Sequence, residues 1–354
     1  MKKNYLIILL FVTGITSCSK SNSAPPNNND GDTTSNPLDT TIITNSTFAK
    51  GADVGWLTEM ESDGYKFYTR SGVEEDCYQV LKEEGMNSIR LRAWVNPTDG
   101  WCNTADVVAK AKRAKAAGMR IMIDFHYSDW WADPGKQNKP EAWASLNFND
   151  LKDALSSYTK HVMDTLKEND IYPEWVQVGN ETNDGMLWED GHASTSMSNF
   201  AALVTSGYDA VKSVFDTAKV IVHISNGFDN SLFRWMFDGL KTNNAKWDVI
   251  GMSLYPSSTN WSTLDVQCLN NMNDMIARYK KPVMICEVGM SWTDSIACKS
   301  FLDDIIKKTR SIANGNGLGV FYWEPECYNN WKNYTLGAFD NSGIPTVALN
   351  AFKN

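Results

Sequence analysis

The chain is 354 residues long, carries a formal net charge of −9 and contains 14 tryptophans. No basic stripe runs through this acidic sequence, which argues against a nucleic-acid partner. The tryptophans suit carbohydrate binding, because sugar rings present apolar faces to aromatic side chains, although most tryptophans in proteins pack in the core.

The N-terminus has the pattern of an export signal. Lys2 and Lys3 precede an apolar segment, residues 5–12, which is too short to span a bilayer. The sequence Ile-Thr-Ser-Cys that ends at Cys18 resembles a bacterial lipobox, in which cleavage leaves the cysteine as a lipidated N-terminus. We therefore predict that residues 1–17 are a lipoprotein signal peptide. Lipid on Cys18 would then anchor an exported protein to the membrane, at the bacterial cell surface. The alternative is an ordinary signal peptide that has a cysteine near its cleavage site.

The rest of the chain divides into a tether and one domain. Residues 18–46 consist mainly of Ser, Asn, Pro, Thr and Asp, and cannot bury enough apolar surface to offset their ordering entropy. We predict a flexible polar tether there and a single domain over residues 47–354, a length typical of one α/β barrel. Cys286 lies inside a predicted strand and is expected to be a buried free thiol. Export permits disulfides, and the pairing of the other five cysteines of the domain stays open.

Short apolar or β-branched runs alternate with helix-like segments throughout this domain. The predicted strands are residues 49–54, 88–94, 120–125, 175–178, 220–224, 249–254, 283–286 and 319–323. The predicted helices include residues 105–117, 151–168, 200–215, 269–280 and 296–313. Eight alternations with continuously apolar strands predict a single α/β domain, a (β/α)8 TIM barrel. The rival is a doubly wound open sheet, but no Gly-rich phosphate loop follows the first strand.

Two glutamates stand at strand ends. Glu181 follows the strand 175–178 and Glu287 follows the strand 283–286. The C-terminal strand ends of a TIM barrel meet at one rim, where its chemistry takes place. Two carboxyls about 5–5.5 Å apart are what a retaining glycosidase uses. In this interpretation Glu287 attacks the anomeric carbon, while Glu181 protonates the leaving oxygen and then activates water. One isolated strand-end glutamate more often faces solvent, but two in a repeating strand–helix pattern favour catalysis.

Other strand ends carry side chains suited to holding a polyol. These candidate substrate-binding residues are Asp53, Arg92, Trp94, His126, Asp129, Asn180, Tyr255 and Trp323. We expect Asn180 to bind the hydroxyl next to the anomeric carbon. Tyr255 and Arg92 are expected to keep Glu287 ionised with a low pKa, while an apolar setting and the neighbouring charge keep Glu181 partly protonated. His126 receives no proton-transfer role, and His223 and Glu324 are not expected to be functional.

Several motifs are more specific than these single positions. They are GADV at 51–54, RLRAWVNP at 90–97, DFHYSD at 124–129, WADPGKQ at 131–137, VQVGNE at 176–181, GMLW at 185–188 and FYWEP at 321–325. Together they resemble the endo-β-1,4-galactanases of glycoside hydrolase family 53, over essentially all of residues 49–352. The block from His126 to Gln137 is the most specific part of the resemblance.

The resemblance implies a (β/α)8 fold, retention of configuration and endo-cleavage of β-1,4-galactan, the side chain of pectic arabinogalactan. It implies the acid/base role for Glu181 and the nucleophile role for Glu287. It also places a set of residues around the cleaved sugar, namely Asp53, Arg92, His126, Asn180, Tyr255 and Trp323. One alternative is an endo-β-1,4-mannanase or glucanase on the same scaffold, since a fold does not fix its substrate. Another is a catalytically dead surface polysaccharide-binding protein, although such a protein would normally have lost one of the two glutamates.

The sequence also departs from the family. Gly55 and Trp130 stand where members often have Ser and Thr, so Trp130 predicts an additional stacking surface. Some relatives hold calcium in long loops after the seventh and eighth strands. Here the loops 289–297 and 325–336 are short and lack a dense Asp/Asn cluster. We therefore predict no required metal or cofactor, with a structural calcium ion as the alternative, and a monomer that acts on galactan.

Overall fold

A computed structural model describes residues 48–354, and within them eight parallel strands close into a barrel. The strands are β1 (Ala49–Asp53), β2 (Ser88–Ala93), β3 (Arg120–Phe125), β4 (Trp175–Val178), β5 (Lys219–Ile224), β6 (Val249–Leu254), β7 (Val283–Val288) and β8 (Gly317–Trp323). Each strand pairs with its neighbours along the chain, and β1 closes the barrel by pairing with both β2 and β8. The predicted TIM barrel is confirmed. The largest shifts at strand boundaries are at β7 and β8, each of which is two residues longer at one end than predicted.

Helices connect successive strands around the outside of the barrel. They are α1 (Leu57–Ser62), α2 (Cys77–Glu83), α3 (Thr104–Ala116), α4 (Phe148–Glu168), α5 (Ala193–Val214), α6 (Asn230–Thr242), α7 (Trp261–Tyr279) and α8 (Ser295–Arg310). Short 3₁₀ turns and a two-stranded hairpin, Phe67–Tyr68 with Glu74–Glu75, complete the loops. The predicted helices are confirmed, but α5 begins seven residues and α7 eight residues earlier than expected, and α1, α2 and α6 were not among them.

Side-chain caps explain where several helices begin. The carbonyl oxygen of the Asn103 side chain accepts from the backbone N–H of Asp106 at the start of α3. Asn147 accepts in the same way at α4, and Asp229 accepts from Ser231 and Leu232 at α6. Such caps satisfy N–H groups that have no partner inside the helix. The sequence of α6 therefore contains a helix-start signal at Asp229, although this helix is not among the predicted ones.

The buried apolar side chains form two layers. Inside the barrel lie Ala49, Met122, Trp175, Ile221, Val249, Met284, Cys286 and Phe321. A larger layer fills the space between the strands and the helices. The barrel interior is thus a packed core below the catalytic rim, and the side chains above it are held on a rigid base.

All six cysteines of the described part of the chain are free and buried. Cys286 is a buried thiol in the barrel interior, as predicted. Burial raises the pKa of this thiol to about 12, so the group is un-ionised and packs as a small apolar side chain.

The N-terminal predictions concern residues outside those that the structure describes. They are the signal peptide at 1–17, the lipidated Cys18 and the tether at 18–46. Among residues 48–354, no helix has the length and apolar character needed to cross a bilayer.

Candidate active site

The two glutamates meet at one cavity on the C-terminal rim of the barrel. Glu287 belongs to β7, and Glu181 lies three residues beyond the end of β4. Between β4 and Glu181 the backbone turns sharply, with φ of +88° at Gly179 and +43° at Glu181. A glycine adopts such a φ without steric cost, which allows the turn directly after the strand. The cavity has a volume of about 340 Å³ and is lined by His126, Trp131, Ala132, Asp133, Asn180, Glu181, Tyr255, Glu287, Trp323, Tyr334 and Leu336.

Four of the eight predicted substrate-binding residues line this cavity: His126, Asn180, Tyr255 and Trp323. The other four do not form its wall. Asp53, Arg92 and Trp94 are at most 2% exposed and lie behind it. Asp129 accepts hydrogen bonds from the backbone N–H groups of Asn96 and Glu141, at 2.9 and 2.8 Å, and thereby clamps two loops. Trp131 and Tyr334, which are not among the predicted substrate-binding residues, complete the aromatic wall.

Glu287 is held by Tyr255 and Arg90. The Tyr255 hydroxyl donates to Oε2 of Glu287 at 2.8 Å, and Nη2 of Arg90 lies 2.9 Å from its Oε1. The expectation that Arg92 would make this ion pair is wrong, because Arg90 takes that position. The expected low pKa is also wrong. Burial, together with the charge of Glu181, raises the pKa of Glu287 well above its usual value, and Arg90 only opposes that rise.

Arg90 organises the floor of the site. Its guanidinium, 1% exposed, also contacts Asp53 at 2.5 Å and Asp124 at 2.9 Å, and it donates to Oδ1 of Asn180 at 2.8 Å. One cation thus serves three carboxyls, and burial raises the pKa of Asp53 to about 7 despite Arg90. Burial also works to raise the pKa of Asp124, but Arg90 and His126 outweigh it and the net shift is downward. A planar guanidinium with five N–H donors can hold such a set, whereas an ammonium cannot.

Arg92 is the centre of a separate cluster. Its Nη1 pairs with Glu324, and its guanidinium lies over the rings of Trp131, Trp56 and Trp94 at 4.4, 5.1 and 5.4 Å. A Cβ atom at Gly55 would lie 2.1 Å from Nη1 of Arg92. The glycine at this position therefore makes room for the guanidinium. The Arg92–Glu324 pair supports Trp131 in the cavity wall from behind and does not contact the cavity itself.

Glu181 is half-buried at the cavity, next to Ser253 of β6. Its backbone N–H donates to Nδ1 of His223 at 3.3 Å. Burial raises the pKa of the Glu181 carboxyl, whereas a hydrogen bond from Ser253 and the charge of Arg90 oppose that rise. The expectation of a raised pKa for Glu181 is confirmed.

The protonation states of the two carboxyls are linked. Each negative charge raises the pKa of the other carboxyl, so the pair favours a state with one proton. Glu287 receives both a guanidinium and a phenol donor, whereas Glu181 lies further from the cation. The contacts with Arg90 and Tyr255 favour the ionised form of Glu287, which is the form that a nucleophile requires, but burial leaves the pKa of this carboxyl well above its usual value.

His126 is fixed as a neutral donor. Its Nδ1 accepts from the backbone N–H of Ala132 at 3.1 Å and from Nε1 of Trp94 at 3.3 Å. Its Nε2 must therefore carry the hydrogen and donate to Asp124 at 3.0 Å. Burial lowers the pKa of the ring. Both nitrogens are occupied, which agrees with the prediction that His126 transfers no proton.

An aromatic series leads outward from the cavity. The ring of Trp323 lies 5.8 Å from that of Trp131, which lies 5.1 Å from Trp94, and Trp94 packs 4.7 Å from Trp130. Trp130 ends the series with 47% of its surface exposed. Exposed indole faces next to a sugar-sized cavity are suited to stacking on sugar rings.

Within residues 48–354, one group of side chains has metal-binding composition. It comprises Glu324, Glu326 and Cys327, whose ligand atoms lie within 4.8 Å of one another. All three are buried. Burial and the neighbouring Glu324 raise the pKa of Glu326 well above its usual value, which favours its neutral form. Two carboxyls and a thiol do not provide the six to eight oxygen ligands that calcium takes.

The fold and the site define a class of enzyme, the glycoside hydrolases built on a (β/α)8 barrel with a pair of carboxyls at its C-terminal rim. The particular family follows from comparison with known proteins. Residues 49–352 match glycosyl hydrolase family 53, and the chain belongs to that family. The resemblance seen in the sequence is confirmed.

Named relatives show the same relationship over most of the chain. A probable arabinogalactan endo-β-1,4-galactanase A of Aspergillus terreus is 34% identical, over 85% of this chain and 90% of its own length. The arabinogalactan endo-β-1,4-galactanase of Cellvibrio japonicus is 34% identical, over 81% of this chain and 82% of its own. A solved structure of a fungal β-1,4-galactanase superposes with a TM-score of 0.81 at 28% identity, over 86% of this chain and 99% of that one.

Proposed function

We propose that this protein is a retaining endo-β-1,4-galactanase that cleaves the galactan side chains of pectic arabinogalactan. The observation that carries the proposal is the pair Glu181 and Glu287 in one cavity, with Arg90 and Tyr255 on the second glutamate alone. The galactan specificity is supported by the similarity to arabinogalactan endo-β-1,4-galactanases, and the two-carboxyl chemistry is supported by the site itself.

The first half of the reaction uses both glutamates. A carboxylate oxygen of Glu287 attacks the anomeric carbon while the Glu181 carboxyl gives its proton to the leaving glycosidic oxygen. The bond between the anomeric carbon and that oxygen breaks, and a glycosyl ester of Glu287 forms. As the ester forms, Glu287 loses its charge, so Arg90 is left to its pairs with Asp53 and Asp124.

The second half reverses the roles. The Glu181 carboxylate takes a proton from water, whose oxygen attacks the anomeric carbon and displaces Glu287. Two inversions at the same carbon give net retention. Asn180, whose Nδ2 donates to the Ala132 carbonyl at 2.9 Å, is held at the cavity wall where it is proposed to contact the sugar hydroxyl next to the reacting carbon.

Substrate binding is assigned to the aromatic wall. Trp131, Trp323 and Tyr334 line the cavity and are proposed to hold the sugars at the cleaved bond. Trp130, exposed at the outer end of the series, is proposed to stack on a sugar further along the polymer. An open rim of this kind suits internal cleavage of a long chain.

The remaining predictions are retained as proposals. Lipid on Cys18 anchors an exported monomer at the bacterial cell surface, and catalysis requires no metal ion or cofactor. Anchoring at the surface fits a polymer too large to enter the cell.

The test compares three polymers. The purified protein is given β-1,4-galactan, β-1,4-mannan and a β-glucan in parallel, with the Glu287→Gln variant as the control. Short galactose oligomers from galactan alone, absent in the variant, are the expected result. Cleavage of mannan or glucan instead would refute the galactan specificity but keep the mechanism. Galactan binding by wild-type protein without any cleavage would identify a polysaccharide-binding protein.

A further inference from the structure

Two buried residues beside Glu181 are not used by the catalytic scheme. His223, in β5, is fully buried, and Ser253, in β6, is 1% exposed. The backbone N–H of Thr182 donates to the carbonyl oxygen of His223 at 2.9 Å, and its hydroxyl donates to the same oxygen at 3.1 Å. These bonds fasten the segment that carries Glu181 to β5.

The neighbours of His223 determine its tautomer. Its Nδ1 lies 2.8 Å from Nε2 of Gln177 and 3.1 Å from Oδ1 of Asn180. It also lies 3.3 Å from the backbone N–H of Glu181, which can only donate. Nδ1 must therefore be the acceptor, so Nε2 carries the hydrogen. That hydrogen points to Oγ of Ser253 at 2.8 Å. The orientation of Gln177 is fixed in turn, since its Oε1 accepts from Arg90 at 3.2 Å.

The Ser253 hydroxyl is consequently an acceptor towards His223 and has its own proton left to donate. We propose that Ser253 is a positioning residue, which donates this proton to the Glu181 carboxylate, and that His223 sets the direction of donation. The inference rests on the proposed function, in which Glu181 is the acid/base. A donor of this kind stabilises the ionised form of Glu181 and aims its carboxylate for the second half of the reaction, when it must take a proton from water.

The effect of removing Ser253 can be distinguished from the effects of the charged groups around Glu181 and His223. The charges of Arg90, Asp133 and Asp124 act on Glu181, and the charge of Glu181 acts on Glu287. Arg90, Asp124 and His126 act on His223, whose pKa is lowered well below its usual value by burial. His223 therefore stays neutral over the working range. Ser253 does not titrate, so its removal changes the pKa of Glu181 without adding a new charge to the site.

The experiment is the pH dependence of kcat/KM on galactan for wild type, Ser253→Ala and Ser88→Ala. Without the hydroxyl the carboxylate of Glu181 loses a donor, and its pKa rises. The basic limb is therefore expected to move to higher pH by about one pH unit, the value of a hydrogen bond to a charged group. Ser88 is a matched control, since it is a buried serine of the barrel that donates to Asn87 at 2.8 Å. It begins β2, and so lies at the end of the barrel away from the catalytic rim. Its removal should leave both limbs in place.

A second variant keeps the test usable if Ser253→Ala does not fold. Ser253→Cys places a weaker donor at the same position and should move the basic limb in the same direction by less. A basic limb that stays at its wild-type position in both folded variants, or moves to lower pH, overturns the inference. A wild-type protein with no activity on galactan instead refutes the proposed function. A basic limb that persists in Glu181→Gln refutes the acid/base assignment.

Discussion

Substitution of Arg90 by glutamine tests the electrostatics of the site most directly. Arg90 is the cation nearest to Glu287, at 2.9 Å, and it also holds Asp53 and Asp124. Glutamine keeps an amide donor but removes the charge, and its side chain ends two bonds short of the Nη2 atom that contacts Glu287. The pKa of Glu287, which Arg90 holds down against burial, is then expected to rise further.

The magnitude follows from the number of carboxyls that share the cation. An adjacent guanidinium lowers a carboxyl pKa by about 1–3 units. Asp53 and Asp124 will take up protons once Arg90 is gone, and this reduces the negative charge that acts on Glu287. We therefore expect the pKa of Glu287 to rise by about 1 unit, the lower end of that range, which equals about 1.4 kcal/mol. On the acidic side of the optimum, kcat/KM should fall about tenfold, because about a tenth as much Glu287 is ionised.

The assay is the acidic limb of the pH profile of kcat/KM on galactan, with thermal unfolding as the check on folding. Arg90→Lys keeps the charge and should move the limb by less, although a single ammonium cannot reach all three carboxyls. Arg113→Gln is the matched control, since Arg113 also pairs with two carboxylates, Glu61 at 2.6 Å and Asp76 at 2.7 Å, on the outside of the barrel. An acidic limb that does not move in folded Arg90→Gln would refute the account of Glu287.

Four other outcomes are expected. In Glu181→Gln the basic limb should disappear, whereas release of the aryl group in the first turnover of an aryl galactoside, whose leaving group needs no protonation, should persist. Loss of that first release together with activity on galactan would contradict the acid role. Asp265 is buried against Asp304, and burial raises its pKa from 3.8 to about 8, so it binds a proton more tightly in the folded state. Its contribution to stability is therefore present at low pH and is lost as pH rises from about 4 to 8. Asp265→Asn should accordingly unfold at a higher temperature than wild type at pH 8 and show little difference near pH 4, with an equal difference at both pH values speaking against the argument. Trp130→Ala should raise KM for long galactan about tenfold or less, since an aromatic contact is worth about 0.5–1.5 kcal/mol. Neither kcat nor the KM for short oligomers should change. An equal rise in KM for short oligomers would place Trp130 at the cleaved bond instead. Dialysis against EDTA should leave activity on galactan unchanged, and restoration of a lost activity by calcium would show that a metal is required.

The sequence predicted the barrel well because its signals are local. Runs such as 175–178 and 283–286 are apolar throughout, and a strand that is buried on both faces needs this composition. Once eight such strands are parallel, their C-terminal ends must lie on one rim, so Glu181 and Glu287 share a site whatever the details of the loops. Position along a strand therefore determined the candidate catalytic pair.

The partners of the two arginines were decided by the tertiary structure alone. Arg90 and Arg92 are two residues apart on β2 and point to the same face, so their spacing does not distinguish them. Arg90 meets Glu287, whereas Arg92 turns to Glu324 and three tryptophans where Gly55 leaves space. The same holds for Trp130 and Trp131, neighbours in sequence, of which one is exposed on the rim and the other lines the cavity.

The roles of Ser253 and His223 have the same origin. A buried serine and a buried histidine on adjacent strands give no sequence signal, and their connection to Glu181 exists only because β4, β5 and β6 lie side by side. The periodicity of the chain fixes which residues face the interior of the barrel. Which donor meets which acceptor depends on distances of 2.5–3.3 Å between residues far apart in sequence, and these arise only when the whole barrel closes.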